Sequence, residues 1–162
     1  MTIRTATPAD LDRLLALALD FYAEDGFTTP VEALRANFAQ LLGSPAAHTA
    51  VVEEGDTVVA FAVTTTSFGL ENGLIAELED LYVVPSARRR GYAAALMDES
   101  TEWARQRGCG VLDLVVAPNG QDVDHLYDYY LARGFQDVGR RLFHRNLAGV
   151  SWLSASDGTA RG

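Results

Sequence analysis

The chain reads as one mixed α/β domain, a central sheet with helices on both faces. Three patterns predict it. Two helical periods follow a short first strand; a β-branched antiparallel meander fills the middle; a helix, a buried strand and another helix come after it. Hydrophobic residues are 48% of the 162 and charged residues 22%, enough apolar mass for one sizeable core.

The elements follow in order. Ile3 to Thr5 is a short strand. Thr7-Pro8-Ala9-Asp10 then starts a helix: Thr7 can cap, Pro8 suits the first turn and Asp10 favours the positive end. Leu11, Leu14, Leu15, Ala18 and Leu19 recur at helical spacing until Gly26 interrupts. Thr29-Pro30-Val31-Glu32 offers a second capping box, and Leu34, Phe38, Leu41 and Leu42 form the next stripe, ended by Gly43. Thr49 to Glu53 and Thr57 to Thr66 read as strands about a Gly55-Asp56 turn, Phe68 to Gly73 as a loop, and Leu74 to Val84 as a long strand. Gly91 to Arg107 is a helix, Val111 to Val116 a buried strand, and Asp122 to Arg133 a helix closed by Gly134. Gln136 to Val138 and Arg141 to Leu147 are expected to finish the sheet. The domain then spans 1–147, and 148–162, rich in Gly, Ser and Ala, is expected to be a mobile tail.

Charge narrows the partners. The net charge of −9 disfavours a general nucleic-acid binder. Residues 1–80 carry 13 acidic and 3 basic side chains, whereas 81–162 carry 9 and 10; every basic residue is Arg. An acidic surface that merely maintains solubility is one reading. The other is a first half that faces a cationic substrate and a second half that holds an anion. No apolar run approaches the roughly 18 residues that span a bilayer, so no membrane partner is expected. Met1 to Thr5 lacks the features of a secretory leader and Cys109 has no disulfide partner, so the expected location is cytoplasmic.

The segment Leu78-Glu79-Asp80-Leu81-Tyr82-Val83-Val84-Pro85-Ser86-Ala87-Arg88-Arg89-Arg90-Gly91-Tyr92-Ala93 carries the chemistry. A strand ends at a proline, three arginines follow, and a glycine opens a helix. Gly91 lets the main chain turn closely around a phosphate, Ala93 leaves room, and the helix N-terminus supplies free N–H groups. Arg88, Arg89 and Arg90 add charge and paired donors. A solvated arginine cluster ahead of a helix is the alternative.

From Leu78 to Gly108 the chain resembles motif A of the GNAT N-acetyltransferase superfamily. Motif B follows, with Y-x-x-x-G-F on Tyr130, Gly134 and Phe135. The resemblance covers about residues 2 to 147. It implies a predominantly antiparallel sheet with a splayed parallel pair, its fourth and fifth strands, between helices. It implies acetyl-CoA as cofactor, with Leu81, Tyr82 and Val83 beside the pantetheine and the amides of Arg89, Arg90, Gly91, Tyr92, Ala93 and Ala94 on the pyrophosphate. Asn119 is the residue to contact the pantetheine, although Gly120-Gln121-Asp122 departs from the family's spacing.

Acetyl transfer to an amine needs a proton acceptor, a donor to the thioester oxygen and a proton for the leaving sulfur. Strand alternation puts Ile75, Glu77, Glu79, Leu81 and Val83 on one face and Asp80 with Tyr82 on the other, unless a bulge intervenes. Glu79 is therefore the candidate base; Leu78 to Val83 is similar to the matching strand of polyamine acetyltransferases, where a glutamate has this task. Asp80 reads as an anchor for a nearby loop. The resemblance makes Tyr130 the general acid, and the N–H of Leu81 or Val83 the donor to the carbonyl. His48, His125 and His144 are not spaced as metal ligands, so no metal is expected. Cys109, Trp103 and Phe135 read as packing.

Asp20, Glu24, Asp25, Glu77 and Glu79, with Glu71, gather where the family builds its acceptor pocket, which favours a small cationic amine. Arg89 to Ala93, Glu102-Trp103-Ala104 and Leu142-Phe143-His144-Arg145 are also similar to aminoglycoside 6′-acetyltransferases, so polyamine-like and aminoglycoside-like acceptors both stand. A protein amine, or a silent acyl-CoA-binding regulatory module, are the alternatives. The resemblance also allows a homodimer through Arg141 to Leu147.

Overall fold

A computed structural model describes residues 1–27, 29–116, 123–143, 145 and 147. Among the described residues, five strands form one sheet in chain order: β1 (Thr2–Thr5), β2 (Ala47–Glu54), β3 (Thr57–Gly69), β4 (Gly73–Val83) and β5 (Leu112–Leu114). The first four run antiparallel to their neighbours; β5 is parallel to β4. Helices α1 (Leu11–Glu24) and α2 (Val31–Gly43) cover one face; α3 (Tyr92–Gln106) and α4 (Asp124–Leu131) lie on the other. None of the described helices is long and apolar enough to cross a membrane.

The two core layers follow from strand alternation. Leu14, Leu17, Ala18 and Phe38 of the first two helices pack on Val51, Phe61, Val63 and Tyr82. Tyr92, Leu96 and Met97 of α3 pack on Ala50, Val52, Ala60, Ala62 and Leu78. Leu96 is fully buried beneath the helix. Leu96→Ala is expected to lower the unfolding free energy by about 2–5 kcal/mol, read by urea denaturation, because the cavity left between the helix and the sheet collapses only in part.

A half-buried ion pair ties the entry of the chain to this frame. Asp10 is 3% exposed and accepts two 2.8 Å bonds from the Arg4 guanidinium, which also reaches Glu53 on β2. The Thr7 N–H donates to the same carboxylate at 2.8 Å. The Arg4 bonds hold the Asp10 carboxyl well below the usual range.

Several elements differ from the sequence expectation. Phe68 and Gly69 extend β3, pairing with Leu74 and Gly73, so the expected loop shrinks to a tight turn. The cap expected at Thr29 is absent: Pro30 stands at the helix entry and its carbonyl accepts from the Ala33 and Leu34 N–H groups. The buried strand shortens to Leu112–Leu114 and the last helix to Asp124–Leu131. The final strands are not formed among the described residues of 136–147. Val138, Leu142, Phe143 and Leu147 are 69–90% exposed, and β-propensity without a partner strand to pack on does not make a strand. Asn119, His144 and the 148–162 tail lie outside the described residues.

Candidate active site

The decisive local event is a bulge. Asp80 stands opposite Val63 and Leu78 opposite Thr64, so Glu79 has no partner on β3. One extra residue inverts the alternation. Ahead of it Ala76 and Leu78 face α3; beyond it Leu81 and Val83 do, while Asp80 and Tyr82 face α1. The expectation that Glu77, Glu79, Leu81 and Val83 share one face is corrected accordingly.

The same point begins a split in the sheet. β4 pairs with β5 only from Ala76 to Leu78. The Val84 N–H donates to Val59 of β3, and antiparallel alternation then points the main-chain groups of Leu81 and Val83 away from β3, toward the side β5 has left. Arg88 Nε bonds the Val83 carbonyl from that side at 2.9 Å. The Leu81 and Val83 N–H groups, unpaired among the described residues, are donors at the mouth of the gap.

Beyond β4 the chain makes the expected turn into a helix. Arg89 has φ 63° and Gly91 φ 86°, so positive-φ residues flank Arg90 and turn successive N–H groups to one side. Gly91 precedes α3 without a side-chain cap, and the first turn carries no acid. The Tyr92, Ala93 and Ala94 N–H groups have no helical acceptor, and the helix dipole adds partial positive charge. A Cβ on Gly91 would meet open space, not protein. The open side, the free donors and the positive field fit a pyrophosphate.

The arginines divide their work. Arg88 pairs with Glu24 of α1 at 2.5 Å and stacks over Tyr82, while Arg90 pairs with Glu54 at 2.9 Å and bonds the Ser86 carbonyl. Tyr92 also donates to Glu54. Arg88 and Arg90 brace the turn; Arg89 is exposed and makes no ion pair among the described residues. Tyr130, on α4, packs against the α3-side core, edge-on to Tyr129 and Phe135. Burial pushes its phenol up, so it holds its proton firmly.

On the opposite face a cleft of about 410 Å³ opens between α1, α2 and the sheet. Tyr22, Asn37, Gln40 and Thr65 line it, with Glu79 and Asp80 on β4. Glu79 is exposed and accepts the Thr65 hydroxyl at 2.8 Å. Asp80 is mostly buried and accepts the Tyr22 hydroxyl at 3.3 Å. The other acids lie outside the lining. Burial alone would push Glu24 up, but bonds from Arg88 and Tyr82 hold it low. Burial and neighbouring Glu24 push Asp25 up; burial, Glu79 and Asp113 do the same to Glu77. Asp20 is exposed on α1, and Glu71 meets Arg140 at 3.5 Å near the hairpin turn. Sequence reasoning missed Tyr22 and gave Asp80 only an anchoring part; a tyrosine two residues before Glu24 at the helix end carried no signal of its partner.

His48 is buried, stacks on Trp103 and lies 3.4 Å from Glu99. His125 is exposed.

The model of the acetyltransferase (GNAT) family matches residues 11–135. The aminoglycoside N(6′)-acetyltransferase type 1 of Serratia marcescens is 35% identical over 123 residues, 71% of this chain and 80% of that protein. The crystal structure of an integron cassette protein from the mobile metagenome of Cole Harbour salt marsh superposes with a TM-score of 0.78 at 32% identity, covering 90% of both chains. The structure of AAC(6′)-Iy in complex with a bisubstrate analog superposes at 0.77 and 21% identity over 90% of this chain and 97% of that one, a likeness of fold.

Proposed function

Because the chain belongs to the acetyltransferase (GNAT) family, we propose that it moves an acetyl group from acetyl-CoA to the primary amine of a cationic small molecule. One observation carries the reading. Glu79 is the residue where β4 loses its β5 partner and also the residue whose carboxylate lines the cleft on the other face. An amine in that cleft and a thioester in the gap would meet at this bulge.

When bound, acetyl-CoA supplies an activated acyl carbon. The N–H groups from Arg89 to Ala94 hold its pyrophosphate, and the edge from Leu81 to Val83 aligns its arm. Glu79 attracts the ammonium and takes its proton. The Leu81 or Val83 N–H stabilises charge on the carbonyl oxygen. Tyr130 delivers a proton to the departing sulfur. The aminoglycoside relative supports a polycationic acceptor, and the carboxylates lining the cleft favour one.

The test is thiol release from acetyl-CoA with aminoglycosides, diamines, polyamines and a peptide amine. Turnover is expected with the polycations, and kcat/KM is expected to fall as salt rises from 0.05 to roughly 0.5 M, since exposed charges are screened over about 10 Å or less. A rate confined to the peptide, or one indifferent to salt, would reject the cationic acceptor. Coenzyme A binding without turnover on any amine would favour the silent module.

A further inference from the structure

Two carboxylates in unlike surroundings line the cleft. Asp80 follows the bulge and turns under α1, opposite Val63, while Glu79 stays at the exposed rim. The Tyr22 hydroxyl, from α1, donates to Asp80 Oδ1 at 3.3 Å. The groups facing Asp80 are Glu79 on its own strand and Tyr22 and Asp25 from α1 and the turn after it. From β3 comes Val63, and α2 lines the cleft with the uncharged Asn37 and Gln40. Burial first, then the charge of Glu79, push the Asp80 carboxyl up to about 6, against the pull of the Tyr22 bond. Both side chains line the same cleft.

We propose that Glu79 and Asp80 form one proton-accepting unit, in which Glu79 meets the amine and Asp80, held by Tyr22, shares the proton that the amine releases. This rests on the transferase reading above. An N–H bond of the ammonium breaks and its proton passes to the carboxylate pair. The freed lone pair forms the C–N bond as the C–S bond breaks, the electron pair leaving on sulfur. The second proton lost from nitrogen balances the one sulfur gains, and the pair returns its proton to solvent. Asp80 is a positioning residue acting through Glu79. Below about pH 6 Asp80 already holds a proton, so activity falls with acid.

Two measurements test this. The first needs no turnover: carbon-detected NMR titration of the carboxyl carbons in wild type, Glu79→Gln and Tyr22→Phe. Asp80 is expected to titrate near pH 6 in wild type. Its midpoint should fall in Glu79→Gln, which removes a charge that raised it, and rise in Tyr22→Phe, which removes a bond that lowered it. A midpoint unmoved by Glu79→Gln overturns the proposal. The second is the pH profile of kcat/KM with a diamine. Tyr22→Phe should move the acid limb upward. Asp80→Asn should abolish the limb and cost about tenfold or more in rate, with Asp80→Glu restoring part. An Asp80→Asn profile superimposable on wild type also overturns it. Wild type that releases no thiol with any amine sinks the transferase reading, and the carboxyl titration still decides, independently, whether the two acids are coupled.

Discussion

Gly91→Val is expected to raise the dissociation constant for coenzyme A by about a hundredfold or more, a loss of roughly 2.7 kcal/mol, while the domain stays folded. The residue sits at φ 86° directly ahead of α3. A β-branched side chain is strongly disfavoured there, so the turn must rotate and the N–H groups that converge on one point must diverge. The Cβ itself meets no protein atom, so the damage is to the cradle and to the space a phosphate would enter. Calorimetry with coenzyme A, beside a thermal melt, reads both effects. Gly91→Ala should fall between wild type and valine. Wild-type affinity in a folded valine variant would rule out this turn as the phosphate site.

Glu79→Gln is expected to lower kcat/KM by about 10²–10⁴-fold without weakening coenzyme A binding. Glutamine keeps the acceptor for the Thr65 hydroxyl, so the bulge should persist. What disappears is the proton acceptor and the charge that draws in an ammonium. Tyr130→Phe should cost less, about 10–100-fold in kcat, because water can protonate a thiolate more readily than it can deprotonate a shielded ammonium. The loss should be larger for amines of high pKa in the glutamine variant, and smaller in the phenylalanine one. Equal rates for both variants and wild type would remove these two residues from the chemistry.

Much of the site was written locally. The run from Arg88 to Ala93 announces a strand end, a glycine turn and a helix start within a few residues, and the turn is built that way. Motif B put Tyr130 on a helix, and the helix is formed, with the Tyr130 ring packed against the α3-side core. What was illegible involved partners far along the chain. The partner of Arg88 is Glu24, 64 residues earlier, so an arginine that reads as a phosphate ligand spends its guanidinium on α1. The partner of Asp80 is Tyr22, 58 residues away. The late apolar residues from Val138 to Leu147 have strand-like composition but no strand beside them among the described residues.

Composition, periodicity and the arginine–glycine turn were enough to specify a mixed α/β domain with a positive-φ turn opening a helix after its long strand, because each depends on contacts within a few residues. Which way Glu79 and Asp80 face depended on β3: a single unpaired residue, set by how two long strands come into register, sends the acids into the cleft beside α1 and α2 and Leu81 and Val83 to the opposite face. Side-chain direction in a sheet has a period of two, so one slipped pairing reverses it, and pairing is a property of two strands rather than of either alone.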